Sequence, residues 1–512
     1  MRLSDFLDKG ASIDPTAPCL TTDGETLSYE QVRSLSDRIG AGLAARGVGP
    51  GDKVAIISGN DPIAFTCVFG ISRIGAVWCP INPRNEAHEN RELLDLSECA
   101  TVIYSNAYTE LVGRIREDLP KVHTWICLDA QPDSGLGWDE FLVGGQSTQA
   151  TGAPVGDLAM VVGTGGTTGK PKGVMLSNRN LETMTALTLM SYPFTKRPIY
   201  LAMAPLTHAA GVLCFPILSL GGEIVIMRSA DVGLFLANVE KHRITHSFLP
   251  PTIVYMILAE AGLESTDMSS LECLWYGAAP MSPARLEEAL EKIGPVMAQL
   301  FGQTEAPMMI STLAPDDHFL PDGRVAKQRL SSAGKPTPLC TVEIMDPDGK
   351  LLPRGERGEI VVRGSLVMDG YYRNSAATEE ATRFGWHHTG DIGYLDEEHY
   401  LYVVDRAKDM IITGGFNVYS TEVEQALLSH PAVQDCAVIG LPDEHWGEMV
   451  SAVVQLRRGG EASSDELRAH VKARIGSVKT PKRIETWGNL PRSKVGKVLK
   501  VDIRDELMRD QS

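Results

Sequence analysis

Residues 161–173 are the most informative stretch of this 512-residue chain, and they read Val161-Val162-Gly163-Thr164-Gly165-Gly166-Thr167-Thr168-Gly169-Lys170-Pro171-Lys172-Gly173. The stretch follows an apolar run typical of a buried strand and then concentrates glycine, threonine and lysine. Glycines let backbone N–H groups approach an anion closely, threonine hydroxyls add hydrogen-bond donors, and lysines add positive charge. The pattern predicts a loop that binds a polyphosphate.

This loop differs from the P-loop of kinases and related NTPases. A P-loop has a glycine five residues before the glycine of its Gly-Lys pair, and a Ser or Thr directly after the lysine. Thr164 and Pro171 occupy those two positions here. P-loop chemistry is therefore disfavoured, and the alternative for the segment taken alone is a flexible surface loop.

On the N-terminal side of the loop, helical and strand patterns alternate. Ser28 and Gln31 form a capping box that predicts the start of a helix, and Gly47 offers a stop. Short apolar runs predict strands at residues 54–57, 76–79, 101–104, 125–128, 158–162 and 223–227. Continuous apolar strands separated by amphipathic helices indicate an α/β fold with mostly parallel sheets covered on both faces.

The pattern changes after Gly334. Short β-rich pieces at 342–345 and 359–362 predict a β-rich subdomain, and a polar stretch at 405–415 precedes new apolar runs at 437–440 and 452–456. Because the chain is longer than one core usually organises, we expect two domains. We predict a large N-terminal domain over 1–405 and a small, mobile α+β domain over 406–512.

Composition indicates an ordinary globular protein, with 43% hydrophobic and 22% charged residues. The nine cysteines are odd in number and form no C-x-x-C pair, so neither a disulfide framework nor a zinc site is indicated. The N-terminus carries acidic residues where a secretory signal would be apolar, and polar residues interrupt the most apolar segment, 211–227. We expect a soluble, cytoplasmic protein without a membrane span.

The net charge is −17, which disfavours binding to nucleic acid. From Arg457 to Ser512, however, 14 Lys and Arg face 8 Asp and Glu. Such a surplus is usually a solvated basic face. The alternative is a segment that contacts phosphates.

The loop at 163–173 resembles the signature of the adenylate-forming superfamily, which includes acyl-CoA synthetases, luciferases and the adenylation domains of peptide synthetases. Further segments match the family in the same order, from the helix after Ser28 to Lys500. One departure is Gly165, where the family usually has serine; the change removes a hydroxyl donor but keeps the backbone N–H. We expect ATP binding to tolerate it.

The resemblance implies an ATP and AMP site in which Phe301 stacks on adenine, Thr304 contacts the α-phosphate, and Asp391 and Arg406 hold the ribose. The implied nucleotide-binding residues are Thr164, Gly165, Gly166, Thr167, Thr168, Gly169, Lys172, Gly277, Ala278, Ala279, Phe301, Gly302, Gln303, Thr304, Asp391, Arg406 and Lys497. Glu305, together with Thr164, is the implied Mg²⁺ ligand, in keeping with the preference of Mg²⁺ for oxygen donors.

The resemblance also assigns the catalytic groups. His208 positions the substrate carboxylate, Glu305 binds the metal, and Lys497 bridges the carboxylate and the α-phosphate. Lys408 is the implied hinge, and Gly415 lines the tunnel for the pantetheine arm of coenzyme A. The implied acyl pocket comprises His208, Ala209, Gly211, Gly277, Gly302 and Met308. Without the family context, a lone histidine is more often structural and a lone glutamate more often an exposed acid.

The implied reaction is an ATP-dependent ligation of a carboxylic acid to coenzyme A, with Mg²⁺ as cofactor, in a monomer or homodimer. The acid forms an acyl-adenylate with release of pyrophosphate, and a thiol then displaces AMP. A first alternative keeps the adenylate but uses a carrier protein or another acceptor. A second is a non-catalytic nucleotide-binding relative. The small and apolar pocket residues fit a fatty acid, an aryl or alicyclic acid, or a steroid side chain.

Overall fold

The computed structural model describes residues 1–143, 157–164, 171–443, 445–492 and 498–509. Its strands, in chain order, are β1 (Pro18–Thr22), β2 (Glu25–Ser28), β3 (Lys53–Ile57), β4 (Val77–Ile81), β5 (Thr101–Tyr104), β6 (Thr124–Cys127), β7 (Leu136–Gly137), β8 (Leu158–Thr164), β9 (Lys172–Ser177), β10 (Ile199–Ala202), β11 (Glu223–Ile226), β12 (His246–Leu249), β13 (Cys273–Tyr276), β14 (Met297–Gln303), β15 (Ala306–Leu313), β16 (Lys335–Pro336), β17 (Cys340–Met345), β18 (Gly358–Gly364), β19 (Gly370–Tyr371), β20 (His387–Leu395), β21 (Leu401–Arg406), β22 (Ile411–Thr413), β23 (Phe416–Val418), β24 (Val433–Asp443), β25 (Gly447–Leu456) and β26 (Arg483–Thr486).

The α-helices, in chain order, are α1 (Leu3–Ile13), α2 (Tyr29–Ala44), α3 (Pro62–Arg73), α4 (Ala87–Ser97), α5 (Thr109–Ile115), α6 (Trp138–Val143), α7 (Asn178–Ser191), α8 (Ala209–Val212), α9 (Cys214–Ser219), α10 (Val232–His242), α11 (Pro251–Leu258), α12 (Pro283–Lys292), α13 (Ser375–Ala381), α14 (Ser420–Leu428), α15 (Ser464–Ile475) and α16 (Lys500–Arg509). Short 3₁₀ turns lie at Asn106–Tyr108, Leu263–Ser265, Pro315–His318, Arg329–Ser331 and Arg383–Gly385.

Two mostly parallel sheets are built from strands between Pro18 and Tyr371. The first sheet has the order β16-β15-β14-β13-β12-β10-β11-β1-β2 among the described residues, and its central pairs from β1 to β14 are parallel. The second has the order β19-β9-β8-β4-β3-β5-β6-β7, with parallel pairing from β8 to β7 and an antiparallel edge at β9 and β19. The predicted α/β architecture is confirmed.

The two sheets share one layer of helices. Alternate side chains of a strand point to opposite faces. Ile56 of β3 and Tyr200 of β10 accordingly contribute to a single core that also contains α1, α2, α3, α7 and α9. Ala55 lies in a separate core under α4 and α5, and Leu201 lies in another under α10, α11 and α12. Both sheets are therefore covered on both faces, which explains their continuous apolar strands.

The β-rich region is an antiparallel sheet of order β17-β18-β20-β21. Beyond Ile411 the chain builds another sheet, β23-β22-β25-β24, with β26 pairing parallel to β25 after the crossover helix α15. Helices α14 and α15 cover one face of this last sheet and α16 covers the other. Among the described residues, those that form the two cores of this sheet all lie at or after Ile411.

The local predictions near the N-terminus are confirmed. Ser28 Oγ accepts a hydrogen bond from Gln31 N at 3.3 Å, and Gln31 Oε1 accepts one from Ser28 N at 2.8 Å. This reciprocal pair satisfies two backbone donors at the start of α2. Beyond the end of the helix, Gly47 adopts a φ of 81°, a conformation that glycine tolerates without strain.

The nine cysteines are all buried, and none is paired in a disulfide. Within the described part of the chain, no helix is long and apolar enough to cross a membrane.

Candidate active site

Four parallel strands of the first sheet, β10, β12, β13 and β14, end at one edge. His208 lies in the segment after β10, Gly277 comes directly after β13, and Thr304 directly after β14. Ligands of open α/β sheets bind beyond the carboxyl ends of the strands. Three motifs that are far apart in sequence therefore meet where a binding cleft is expected.

His208 precedes α8 in this cleft. Its Nδ1 lies 2.9 Å from the hydroxyl of Thr207. Solvent reaches the imidazole, yet the surrounding protein desolvates it and lowers the pKa of His208 below its usual value. The side chain is therefore neutral at pH 7, and a Thr207 hydroxyl that donates to Nδ1 leaves the proton on Nε2. A neutral N–H donor suits a carboxylate that must remain nucleophilic.

The two described ends of the phosphate loop pair with each other. Thr164 at the end of β8 is the Cα partner of Lys172 at the start of β9, and Thr164 Oγ1 donates to the Lys172 carbonyl at 3.4 Å. Both side chains are partly exposed. The antiparallel pairing of β8 with β9 therefore places the predicted threonine and lysine side by side.

Tyr371 connects this loop to Glu305. Lys172 Nζ lies 4.8 Å from the centroid of the Tyr371 ring, and the Tyr371 hydroxyl donates to Glu305 Oε1 at 2.8 Å. Burial and the charge of Glu305 raise the pKa of the Tyr371 hydroxyl, which keeps it protonated as a donor. Tyr371 is held in place by β19, which pairs with β9. Lys172 of the second sheet and Glu305, between two strands of the first sheet, thus contact the same tyrosine.

Glu305 and Thr164 supply oxygen donors of the kind that Mg²⁺ binds. The carboxylate of Glu305 is partly exposed and is oriented by the Tyr371 hydroxyl. Mg²⁺ is usually held by one or two carboxylates together with substrate phosphates and water, so one oriented glutamate beside a phosphate loop fits this ion.

The predicted sugar-binding pair lies on the β-rich sheet. Arg406 Nε contacts Asp391 Oδ1 at 2.7 Å, and the two residues are partners across β20 and β21. Asp391 is buried, while Arg406 is partly exposed. A carboxylate can accept several hydrogen bonds, as expected of a residue predicted to hold two vicinal hydroxyls.

Gln303 joins the end of β14 to β20, the strand that bears the predicted ribose-binding residue Asp391. Its Nε2 donates to the Thr389 carbonyl at 3.1 Å, and His387 Nε2 lies 3.0 Å from its Oε1. Asp391 is two residues beyond Thr389, and Glu305 is two residues beyond Gln303. The metal candidate and the ribose candidate therefore lie on two segments that are directly hydrogen-bonded to each other.

Backbone crowding explains why glycine occupies two of the predicted nucleotide-binding positions, Gly277 and Gly302. A Cβ on Gly277 would lie 2.5 Å from the Leu300 carbonyl oxygen, and one on Gly302 would lie 2.5 Å from Met308 N. Ala278 and Met308 adopt φ values of 67° and 62°, which are uncommon for residues with a Cβ. Strain of this kind is concentrated at functional sites. Ala279 and Phe301 are partly exposed beside these positions.

The predicted acyl-pocket residues divide into two groups. Ala209 and Met308 are partly exposed near the cleft. Gly211 is buried, and a Cβ there would lie 1.9 Å from the Leu206 carbonyl oxygen, so packing alone requires glycine at this position. Met309, which follows Met308 in the sequence, belongs to the core.

The predicted hinge and tunnel residues are exposed. Lys408 lies in the turn after β21. Gly415 lies at the tip of the β22–β23 hairpin with a φ of 81°, and the space where a side chain would project is open. In this arrangement of the chain neither residue is buried against the cleft.

Six predicted residues, Gly165, Gly166, Thr167, Thr168, Gly169 and Lys497, lie outside the described residues. On either side of Lys497, Arg492 and Val498 form an antiparallel bridge.

Tyr371 is the main site residue that sequence reasoning missed. The only signal was the Gly370-Tyr371-Tyr372 run before the region of α13. No spacing rule connects that run to Lys172 or Glu305, because the contacts arise from strand pairing between β19 and β9.

Three features together define an adenylate-forming enzyme. They are parallel sheets that share a helical layer, a predicted phosphate loop beside an acidic residue at the strand ends, and a C-terminal α+β unit. The family model of the AMP-binding enzymes matches residues 7–372, and the model of the AMP-binding enzyme C-terminal domain matches residues 422–497.

Relatives agree with these matches. The chain is 35% identical over 488 residues to the medium/long-chain-fatty-acid–CoA ligase FadD8 of Mycobacterium tuberculosis, covering 92% of this chain and 84% of the relative. It is 36% identical over 501 residues to a feruloyl-CoA synthase of Amycolatopsis sp., covering 96% of each. The solved structure of the amide bond synthetase McbA from Marinactinospora thermotolerans superposes with a TM-score of 0.90 at 28% identity, covering 99% of this chain and 100% of that one.

The chain belongs to the AMP-binding enzyme family, as an adenylate-forming CoA ligase. It is an ATP-dependent acid–thiol ligase of the AMP-forming type, and ATP, Mg²⁺ and coenzyme A serve its reaction.

Proposed function

We propose that one cleft carries out both half-reactions on an apolar carboxylic acid, with the residues described above in fixed roles. In the first half-reaction a carboxylate oxygen attacks the α-phosphorus of ATP, and the bond to pyrophosphate breaks. His208 orients the carboxylate, Asp391 and Arg406 hold the ribose, and Lys172 neutralises phosphate charge. Two anions must approach each other, so positioning and charge neutralisation supply the catalysis.

Bound Mg²⁺ supplies positive charge at the triphosphate. Glu305 is its proposed protein ligand, with Thr164 as a hydroxyl donor beside it. Tyr371 orients the glutamate through the 2.8 Å hydrogen bond to Oε1. Lys497 is the proposed bridge between the carboxylate and the α-phosphate.

In the second half-reaction the sulfur of coenzyme A attacks the acyl carbon, the bond to AMP breaks, and the thiol proton is released. A swing of the small domain about Lys408 withdraws Lys497 and brings Gly415 to the thiol tunnel. We place the domain boundary between Asp405 and Arg406. The separate cores on either side of this boundary support it.

The contact of Lys172 and Glu305 with Tyr371 carries this proposal. It joins the phosphate loop of the second sheet to the acidic loop of the first, and Gln303 extends the connection to the strand that bears Asp391. Residues implied to hold phosphate, metal and ribose are thereby connected by direct contacts. A nucleotide could span them.

The substrate class is proposed from the relatives and from the lining of the cleft. The relatives named above act on a medium or long fatty acid and on ferulate, an aryl acid. Ala209 and Met308, two of the predicted acyl-pocket residues, are partly exposed, and both are apolar and uncharged. We therefore propose as the acyl donor an aliphatic or aryl carboxylic acid that carries no charge beyond its one carboxylate.

We expect purified protein to release pyrophosphate from MgATP only when an acceptable acid is present. A panel of octanoate, palmitate, ferulate, benzoate and a bile acid is assayed with and without coenzyme A, following pyrophosphate, AMP and thioester. Apolar acids should give thioester and AMP in equal amounts, and succinate, which adds a second charge, should give neither.

Pyrophosphate release with an acid, but no thioester with coenzyme A, would contradict the acceptor assignment in favour of a carrier protein or amine. Absence of acid-dependent pyrophosphate release across the panel, with MgATP binding retained, would contradict catalysis itself.

We propose a cytoplasmic location, which the nine unpaired cysteines support because reduced thiols are typical of that compartment. We propose a monomer or a homodimer as the functional unit.

A further inference from the structure

Asp405, the last residue of the proposed large domain, is tied to the first turn of α14 in the small one. It lies on β21 and is only 4% exposed. Its carboxylate accepts hydrogen bonds from the backbone N–H of Ser420, from Ser420 Oγ at 3.0 Å and from Thr421 Oγ1 at 3.4 Å. The N-terminus of a helix favours a negative charge through its free N–H groups and its dipole. The large domain thus supplies the anionic cap of a helix in the small domain.

The same serine connects Asp405 to the C-terminal helix. Lys500 Nζ donates to Ser420 Oγ at 2.6 Å and pairs with Glu424 Oε1 at 2.8 Å, and Glu424 in turn accepts from Val438 N at 2.8 Å. A hydroxyl can donate once and accept as well, so Ser420 serves both neighbours. Lys500 is three residues after Lys497, so the C-terminal segment is linked to β21 through this serine.

A second contact crosses the boundary beside the first. The guanidinium of Arg357 lies 5.1 Å from the ring centroid of Tyr419, which precedes α14, and 6.0 Å from that of Tyr394 on β20. A guanidinium over aromatic faces is attractive, more so when partly desolvated. The start of α14 is thus held on the β-rich sheet at two adjacent points.

With the small domain held on the β-rich sheet by these contacts, the β22–β23 hairpin is exposed to solvent. Ile412 and Phe416 are 52% and 60% exposed, and Gly415 has open space around it. The C-terminal segment is linked through Ser420 to β21, the strand that bears Arg406. Gly415, the proposed thiol-tunnel residue, is exposed. These are the features expected of the adenylate-forming arrangement rather than of the thiol-transfer arrangement.

We propose that Asp405 is a positioning residue whose bonds to Ser420 and Thr421 latch the small domain in the adenylate-forming arrangement. The proposal rests on the two half-reactions and the hinge at Lys408 proposed above. A swing about Lys408 carries Ser420, Thr421 and Lys500 away from Asp405, so the latch opens before the thiol can enter. The strength of the latch therefore sets how the enzyme divides its time between the two half-reactions.

The test separates the two half-reactions in Asp405→Asn. Pyrophosphate release is measured without coenzyme A, and thioester formation is measured from chemically prepared acyl-adenylate with coenzyme A. We expect adenylation to fall about tenfold, because the acceptor loses its charge and one of its two oxygens becomes an NH₂ donor, while thioester formation stays equal or becomes faster. Thr421→Val, which keeps side-chain shape and removes one donor, should shift the ratio the same way by a smaller factor.

Asp502→Asn is the matched control, since Asp502 lies exposed on α16; it should leave the ratio of the two rates unchanged. An equal loss of both half-reactions in Asp405→Asn and Thr421→Val, or a loss confined to thioester formation, would overturn the latch. Failure of the proposed function is distinguishable, because the unaltered enzyme would then release no acid-dependent pyrophosphate.

Discussion

Lys497→Ala will lower the rate of acyl-adenylate formation by about a hundredfold or more, the range observed when a preorganised group that stabilises transition-state charge is removed. In the proposed mechanism this lysine offsets the charge that accumulates as the carboxylate and the triphosphate come together. Thioester formation from prepared acyl-adenylate should be retained, because the small domain has by then withdrawn the lysine. Separate assays of the two half-reactions measure the difference.

The matched control for this substitution is Lys472→Ala, which removes a lysine from the exposed face of α15 in the same domain. It should leave both rates within a factor of two. If Lys497→Ala lost both half-reactions equally, the lysine would not be specific to adenylation and the domain swing would be wrong.

Glu305→Gln should reduce adenylation by about a hundredfold and raise the Mg²⁺ concentration needed for half-maximal rate. The substitution keeps the size of the side chain and an acceptor for the Tyr371 hydroxyl, but it removes the charge that a hard cation prefers. The stabilisation of the protein by MgATP against thermal unfolding should fall as well, because ligand-induced stabilisation follows affinity. That second readout does not depend on turnover.

Tyr371→Phe is the informative companion variant. It preserves the ring beneath Lys172 and removes only the hydrogen bond to Glu305 Oε1. We expect a fall in rate of roughly threefold to tenfold with a smaller change in Mg²⁺ dependence. An unchanged Mg²⁺ dependence in Glu305→Gln would remove Glu305 from the metal site.

The sequence predicted the parts of the fold that local rules govern. The capping box at Ser28 marks the start of α2, and the apolar run at 101–104 is β5. The predicted apolar strand at 158–162 is β8, which extends to Thr164 at the start of the predicted phosphate loop. Periodicity and turn chemistry decide such features within a few residues.

Two features of the structure could not be predicted from these local rules. They are the pairing of strands that are distant in sequence and the strained backbone conformations. Tyr371 reaches Glu305 because β19 adds to the edge of the second sheet, a pairing between segments that are almost 200 residues apart. The left-handed conformations of Ala278 and Met308 occur at residues with no intrinsic preference for them. Tertiary contacts impose both features, and a single sequence does not encode them locally.

The functional residues divide in the same way, into those that the sequence identifies and those that only tertiary contacts identify. Gly277 and Gly302 were predicted from the family resemblance, and the structure adds the reason for glycine, a neighbouring backbone atom 2.5 Å from the Cβ position. Asp405 was passed over because an aspartate before an arginine in a polar linker resembles an ordinary surface acid. Only its burial against α14 distinguishes it.

The central claim is that phosphate-binding and ribose-binding residues from separate sheets face one nucleotide. A crystal structure of the enzyme with ATP and Mg²⁺ tests it most directly. The account predicts ribose hydroxyls on Asp391, adenine beside Phe301, and the triphosphate between Lys172 and a metal ion on Glu305. A nucleotide bound with its ribose away from Asp391, or with its phosphates away from both Lys172 and Glu305, would contradict the account.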